Sequence, residues 1–407
     1  MRALMFQRAG VLGWTERPEP EAAAGGAVVR PLAVARCDLD RAMVQGGLFP
    51  GPFGVGHECV AEVVTVGERV RVRVRVRELA IGQRVMVPFQ VSCGTCPACR
   101  AGRYAAWLPQ RAPAGAAFGF GPAGGGHGGA VADLLAVPHA EHLLLPAPDG
   151  VPDEALCLLP DNVSDGYRTA AEHLAREPGA DVLVVGGFAA SIGLYTVAWA
   201  HALGAGHVRY VDADPDRCAI AERLGADVLQ HTGSWPRRFD RARITIDNSG
   251  NEQGLAATLR STDDYGWSSS IAIHFQPASA MPLLEMYTRG VTFHVSRADS
   301  RRLLPEVLRL VTDGHLDPLA VPTPASTGRT PSRPGPARPP SSSCDANASR
   351  RGTARTDGRL VLTDPAHQRL ASRLLQPCSA ATRSGSRTLG PYGTRGCPAS
   401  GPACGTA

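Results

Sequence analysis

The stretch from Asp181 to Gly250 constrains this chain more than any other. It reads "DVLVVGG", "SIGLYTVAWAHALGA", "HVRYVDAD", "PDRCAIAERLGA" and "RARITIDNSG", so β-branched runs alternate with helical segments. A strand that returns parallel to its predecessor needs a crossover of about helix length, and such crossovers are right-handed. The alternation therefore predicts an α/β region built on a parallel sheet. Residues 182–200 carry no charge for 19 positions, which approaches the length of a membrane span. Gly186, Gly187 and Gly193 interrupt them and the first half is β-branched, so a strand, a tight turn and a helix fit better.

That turn, "VVGGFAASIGLY", is the first candidate site. Gly186, Gly187, Ser191, Ile192 and Gly193 fall at the entry to a helix, and Asp212 closes the next strand 19 residues after Gly193. Amides at a helix N-terminus suit a pyrophosphate, and an acid at that distance suits the hydroxyls of an adenosine ribose. Asp212, Asp214 and Asp216 together would repel a 2′-phosphate, which favours NAD over NADP. Arg217 joins the candidate cofactor-binding group. The spacing departs from a regular GxGxxG, and a glycine turn in a domain that binds no nucleotide is the plain alternative.

Upstream, "GAVVRPLAVA", "CVAEVVTVG", "GQRVMVPF" and "GAVADLLAVP" are short alternating strands broken by Gly and Pro, the text of a β-rich, barrel-like domain. Downstream, "RRLLPEVLRLVTDGHLDPLAVP" predicts one more helix, stopped near Gly314. From Thr323 the chain turns to Pro, Ser, Arg and Gly with little apolar periodicity. Such a tail buries too little surface to offset its conformational entropy and is expected to be disordered. The divisions expected are 1–154, 155–298, a helix over 299–322 that returns to the first domain, and a tail over 323–407.

At 407 residues with 43% apolar side chains, the chain has material for two cores. Its 42 basic residues are all Arg, and the net charge is only +5. "ERVRVRVRVREL" predicts a strand with one cationic face. A solvated edge explains it better than nucleic acid, because no other structured basic element accompanies it. Eleven Cys, three of them clustered, resemble no disulfide framework. The first residues lack an apolar export core, so a cytoplasmic location is expected and no membrane partner.

Two sets of residues could hold metal. Cys93, Cys96 and Cys99 in "SCGTCPACRAGRY" have the two-residue intervals of a metal knuckle and lack a nearby fourth Cys. Cys37, His57 and Asp161 lie far apart, in "ARCDLD", "GVGHECV" and "LLPDNVSDGY". A thiolate, an imidazole and a carboxylate form a set that zinc accepts with its fourth position open. Spacing alone could not assemble them. Singly they could be a buried small hydrophobe, a turn histidine and a helix N-cap.

Taken in order, "VVRPLAVARCDLD", "GHECVAEVVTVGERV", "GQRVMVPFQVSCGTCPACRAGRY", "LPDNVSDGYRTA" and "VLRLVTDGHLDP" resemble the zinc-dependent medium-chain alcohol dehydrogenases over residues 1–321, and the branch with Cys/His/Asp ligands in particular. The resemblance implies a GroES-like catalytic domain, a Rossmann NAD-binding domain and a zinc in the cleft between them. It implies Cys37, His57 and Asp161 as ligands of the catalytic zinc, Glu58 as a carboxylate behind them and Asp40 as support for His57. A zinc-dependent oxidoreductase follows, moving hydride from an alcohol or hydrated aldehyde to NAD, as a homodimer or homotetramer. Cys93, Cys96 and Cys99 match three of four structural-zinc cysteines, and the fourth position falls on Trp107, whose indole has no lone pair to offer a metal.

Other departures bear on activity. Leu39 stands where the family usually has a hydroxyl that passes on the alcohol proton, and Ala42 where some members place a relay His. Neither moves protons, so the proton must leave through water or a carboxylate such as Asp38. An NAD-binding protein with weak or no catalysis is therefore the competing reading. Phe188 also replaces a frequent Gly. The expected closing strands are missing after Val321; a change of reading frame would produce such a shift.

Overall fold

The computed structural model describes residues 1–68, 79–106 and 115–322. The Arg-Val stretch over 69–77, Trp107 and the tail over 323–407 lie outside the described residues. The N-terminal half contains β1 (Arg2–Arg8), β2 (Val11–Glu16), β3 (Ala27–Ala35), helix α1 (Asp38–Gly46), β4 (Phe53–Gly54), β5 (Glu58–Val66) and β6 (Arg84–Val87). After them come short helix α2 (Pro97–Arg100), β7 (Leu135–Val137), α3 (Ala140–Leu143) and β8 (Leu145–Pro146). The strands form an antiparallel sheet in the order β7-β3-β5-β6-β8 and a smaller one in the order β2-β1-β4. Their inward residues, Leu4, Phe6, Val29, Val63 and Val85 among them, share one core with Phe118 from the connection before β7. This is the expected β-rich half, although "GAVADLLAVP" contributes only the three residues of β7.

After α4 (Asp153–Leu156), a π-helical turn over Leu159–Val163 leads straight into α5 (Ser164–Arg176). The α/β half follows: β9 (Val182–Val185), α6 (Ala190–Ala202), β10 (Val208–Asp212), α7 (Pro215–Arg223), β11 (Asp227–Gln230), β12 (Ala242–Asp247), α8 (Glu252–Arg260), β13 (Thr262–Ser270), α9 (Leu283–Arg289) and β14 (Thr292–Val295). All six strands are parallel, in the order β11-β10-β9-β12-β13-β14. The order reverses between β9 and β12, and a crevice opens beyond the strand ends where it does so.

The uncharged stretch divides into β9 and α6, and no described helix is long and apolar enough to cross a membrane. Trp199 of α6 is fully buried, and its Nε1 donates to the Val163 carbonyl at 3.0 Å, tying α6 to the π-helical turn. Helix α10 (Ser300–Thr312) packs on that turn and on α5. Gly314 follows it at φ +82°.

Candidate active site

Register brings the first two candidate ligands together. In the β3–β5 pair Ala35 lies opposite Glu58, so Cys37, just past the end of β3, meets His57, just before β5. Both are buried, as are Asp40 and Glu58. Asp40, in the first turn of α1, accepts from the Cys37 amide at 3.1 Å, and its other oxygen meets His57 Nδ1 at 3.1 Å. An imidazole that donates through Nδ1 turns the lone pair of Nε2 outward, the form a metal needs.

Asp161 arrives from the opposite side on the π-helical turn, where Val163 N reaches back five residues to the Leu158 carbonyl at 3.2 Å. The extra residue widens the turn and directs the carboxylate to His57, with Oδ2 3.2 Å from Nε2. Zinc–nitrogen and zinc–oxygen bonds of about 2 Å at a tetrahedral angle place two donors roughly 3.3 Å apart. Ligand atoms of Cys37, Asp40 and His57 all lie within 4.8 Å of one another, as do those of His57, Glu58 and Asp161.

The protonation pattern supports the same fit. Burial, aided by Asp40 and Asp161 and opposed by His57, pushes the Cys37 thiol up to about 12. Burial drives Glu58 well above the usual carboxylate range, and it raises Asp161 too. Burial works against the charged form of His57, yet the surrounding Asp40, Cys37 and Asp161 raise it well above its ordinary value. Burial thus favours the protonated acids, and the acids around His57 favour its charged form. A divalent cation among them would displace those protons.

Glu58 is anchored from behind by Asn162, whose Nδ2 donates to Oε1 at 2.7 Å and whose amide donates to Oε2 at 3.3 Å. Asn162 in turn accepts from Ser191 Oγ at 3.2 Å. Sequence reasoning missed Asn162; its position next to Asp161 was the available signal.

The glycine turn sits at the crevice. A Cβ on Gly186 would lie 2.3 Å from Asp212 Oδ2, and Gly187, at φ +151°, would place one 2.7 Å from the Ser249 carbonyl. Ser191, Ile192 and Gly193 open α6, with Gly193 against the side chain of Asn248. That buried amide, at the end of β12, has no partner among the described residues. Phe188 turns from the helix toward Phe275, with ring centroids 5.7 Å apart at 81°.

Two details differ from the expected picture. First, Asp38 Oδ2 accepts from Ser191 N at 2.9 Å and from Ser191 Oγ at 2.7 Å, so a carboxylate of this chain already rests on the α6 N-terminus. The helix end thus attracts an anion, and Asp38 would compete there with a pyrophosphate. Second, Asp212 is enclosed: it accepts from Arg217 Nε at 2.8 Å and Nη2 at 2.6 Å, from Tyr210 Oη at 2.7 Å and from the Asp214 amide at 3.0 Å. Asp214 caps α7, so the three acids do not form a bare negative patch.

The knuckle is less complete. The ligand atoms of Cys93, Cys96 and Cys99 lie within 4.8 Å of one another, with Cys96 at the N-cap of α2. Cys93 Sγ accepts from Thr95 N and Oγ1 and from Cys96 N at 3.3–3.4 Å; against a burial effect that raises it, these donors bring the thiol down to about 6. Burial raises Cys99 to about 11. The His142 ring lies against Gly94, its Nε2 2.9 Å from Ser92 Oγ.

Residues 23–149 match the family model described as the alcohol dehydrogenase GroES-like domain, and residues 191–313 match that of the zinc-binding dehydrogenases. A probable zinc-binding alcohol dehydrogenase of Mycobacterium tuberculosis is 30% identical over 324 residues, covering 78% of this chain and 80% of its own. The glutathione-independent formaldehyde dehydrogenase of Pseudomonas aeruginosa is 32% identical over 219 residues, 52% of each chain. Among solved structures, an alcohol dehydrogenase from Thermus sp. ATN1 superposes with a TM-score of 0.69 at 26% identity, over 78% of this chain and 90% of that one.

Proposed function

The chain belongs to the zinc-dependent medium-chain alcohol dehydrogenases, and from that premise we propose that it interconverts an alcohol, or a hydrated aldehyde, with its oxidised product, using zinc and NAD. The single observation that supports this most is that two buried groups of ligand atoms, Cys37 with Asp40 and His57, and His57 with Glu58 and Asp161, share His57 beside a cleft that Cys37 and Asp161 line. Zinc bound there supplies Lewis acidity toward the substrate oxygen, and NAD accepts the hydride. The two electrons leave the carbinol carbon with its hydrogen, and the hydroxyl proton leaves separately.

In this reading the chain's own groups hold, orient and discharge. Asp40 fixes the His57 ring, and Asn162 holds Glu58 behind the ligands. Gly186, Gly187, Ser191, Ile192 and Gly193 receive the cofactor pyrophosphate, with Asp212 and Arg217 at its ribose. Leu39 faces the cleft and offers no proton acceptor, so Asp38, beside it on the cleft wall, takes the proton out toward water. The residue divisions are 1–154 for catalysis, 155–298 for the cofactor and 299–322 for the returning helix, and the assembly is a homodimer or homotetramer.

The test is zinc per chain followed by NADH absorbance with primary and secondary alcohols. Turnover that Cys37→Ala abolishes supports the reading. Zinc and NADH binding without turnover would instead support the weakly catalytic alternative, which the apolar setting of Leu39 favours.

A further inference from the structure

The cleft is about 920 Å³, room for a nicotinamide and an organic substrate beside the metal ligands. Its substrate side is apolar. Leu39, Leu48, Phe49, Phe89, Phe120 and Ala298 line it and pack as one cluster around Met43 and Ala117. The aromatic rings stand beside His57: Phe89 and Phe120 meet its ring edge-on at 5.6 and 5.4 Å, and Phe49 lies 6.1 Å from Phe120. A group attached to the reacting carbon therefore meets these rings first.

Most polar groups of the described residues in the same wall are already engaged, and Arg297 lines it too. Gln90 donates to the Ala298 carbonyl and accepts from the Ser300 amide at 3.1 Å. Asp165 accepts from Arg168 Nε at 2.6 Å, and Ser296 accepts from the same guanidinium. Ser270 donates to Asp247 at 2.8 Å, and His274 Nε2 meets the same oxygen at 3.2 Å. Asp38 is held by Ser191. A polyhydroxylated substrate would surrender its water here and, among the described residues, meet mostly polar groups that are already paired, and an unpaired buried polar group is strongly disfavoured.

We propose that the substrate is an alcohol or aldehyde bearing an aromatic or medium-length aliphatic group, and that polyols and hydroxy amino acids are excluded. This rests on the oxidoreductase reading above. It also gives Leu39 a positive role: the residue that removes a hydroxyl from the proton path completes the apolar wall.

The zinc-loaded full chain is assayed with NAD and benzyl alcohol, 1-hexanol, ethanol, sorbitol and L-threonine. Benzyl alcohol and hexanol should exceed ethanol in kcat/KM by on the order of 100-fold, and sorbitol and threonine should fall below ethanol. Phe120→Ala and Leu48→Ala should each lower the benzyl-to-ethanol ratio about tenfold. Sorbitol or threonine turned over as well as benzyl alcohol would overturn the proposal while leaving the oxidoreductase reading intact. If no alcohol is oxidised, that reading fails, and calorimetric titration decides the pocket separately. Binding of benzyl alcohol that Phe120→Ala weakens, with none for sorbitol, upholds the apolar site; equal binding or none removes it.

Discussion

The two metal-binding clusters are built in opposite ways. The knuckle draws three cysteines from seven consecutive residues, and two of them are partly exposed. The centre at His57 draws on segments 104 residues apart, and all of its members are buried and cross-braced. The dispersed site is the better organised, because its ligands are fixed by a sheet register, a helix start and a π-helical turn. The compact one depends on a single loop. Closeness in sequence is thus a poor guide to how firmly donors are held.

The comparison breaks most visibly if the dispersed centre can be damaged without consequence. Cys37→Ala should remove one zinc per chain, read by atomic absorption, and lower turnover by at least about 1,000-fold, since the substrate oxygen loses its Lewis acid. Retained activity would mean that the chemistry lies elsewhere. Asp40→Asn keeps the fold but weakens the fixing of His57. Competition with a chelator should show zinc affinity at the centre reduced by roughly 10- to 100-fold.

A smaller effect probes the contact between the centre and the nucleotide turn. Asp38→Asn removes a negative charge from the α6 N-terminus, so NADH should bind about fivefold tighter by fluorescence titration. Weaker binding would mean that Asp38 helps hold the cofactor and does not compete with it. At the knuckle, Cys96→Ser should lower Tm by roughly 2–4 °C while the zinc at Cys37 stays in place. Loss of both metals together would erase the contrast.

The smallest effect concerns the cleft rim. The hydrogen bond to Asp247, against the opposing effect of burial, raises the His274 pKa above its ordinary 6.5. Stability from this pair is fully present below 6.5 and is lost as pH rises through the raised folded value. The Tm difference between the native chain and His274→Asn should therefore shrink at alkaline pH. A constant difference would show that the ring contributes packing alone.

Legibility followed the range of the interactions. The parallel sheet was readable because strand and helix impose periods of two and 3.6 within each short segment. Cys37, His57 and Asp161 offered suitable ligand chemistry but were joined as one site only through resemblance, since no spacing rule links positions that far apart. The engagement of Asp38 with Ser191, 153 residues away, carried no sequence signal at all. The capture of Asp212 was closer to readable. Tyr210 shares its face of β10 at an interval of two, and Arg217 stands in the first turn of α7.

The π-helical turn at Leu159–Val163 makes the centre sensitive to chain length as well as to residue identity. Deleting one residue there would restore an ordinary helix and rotate Asp161 by about 100° about the helix axis, away from His57. Every ligand would survive in the sequence and the site would be lost, so in this segment the number of residues is itself an inherited part of the metal centre.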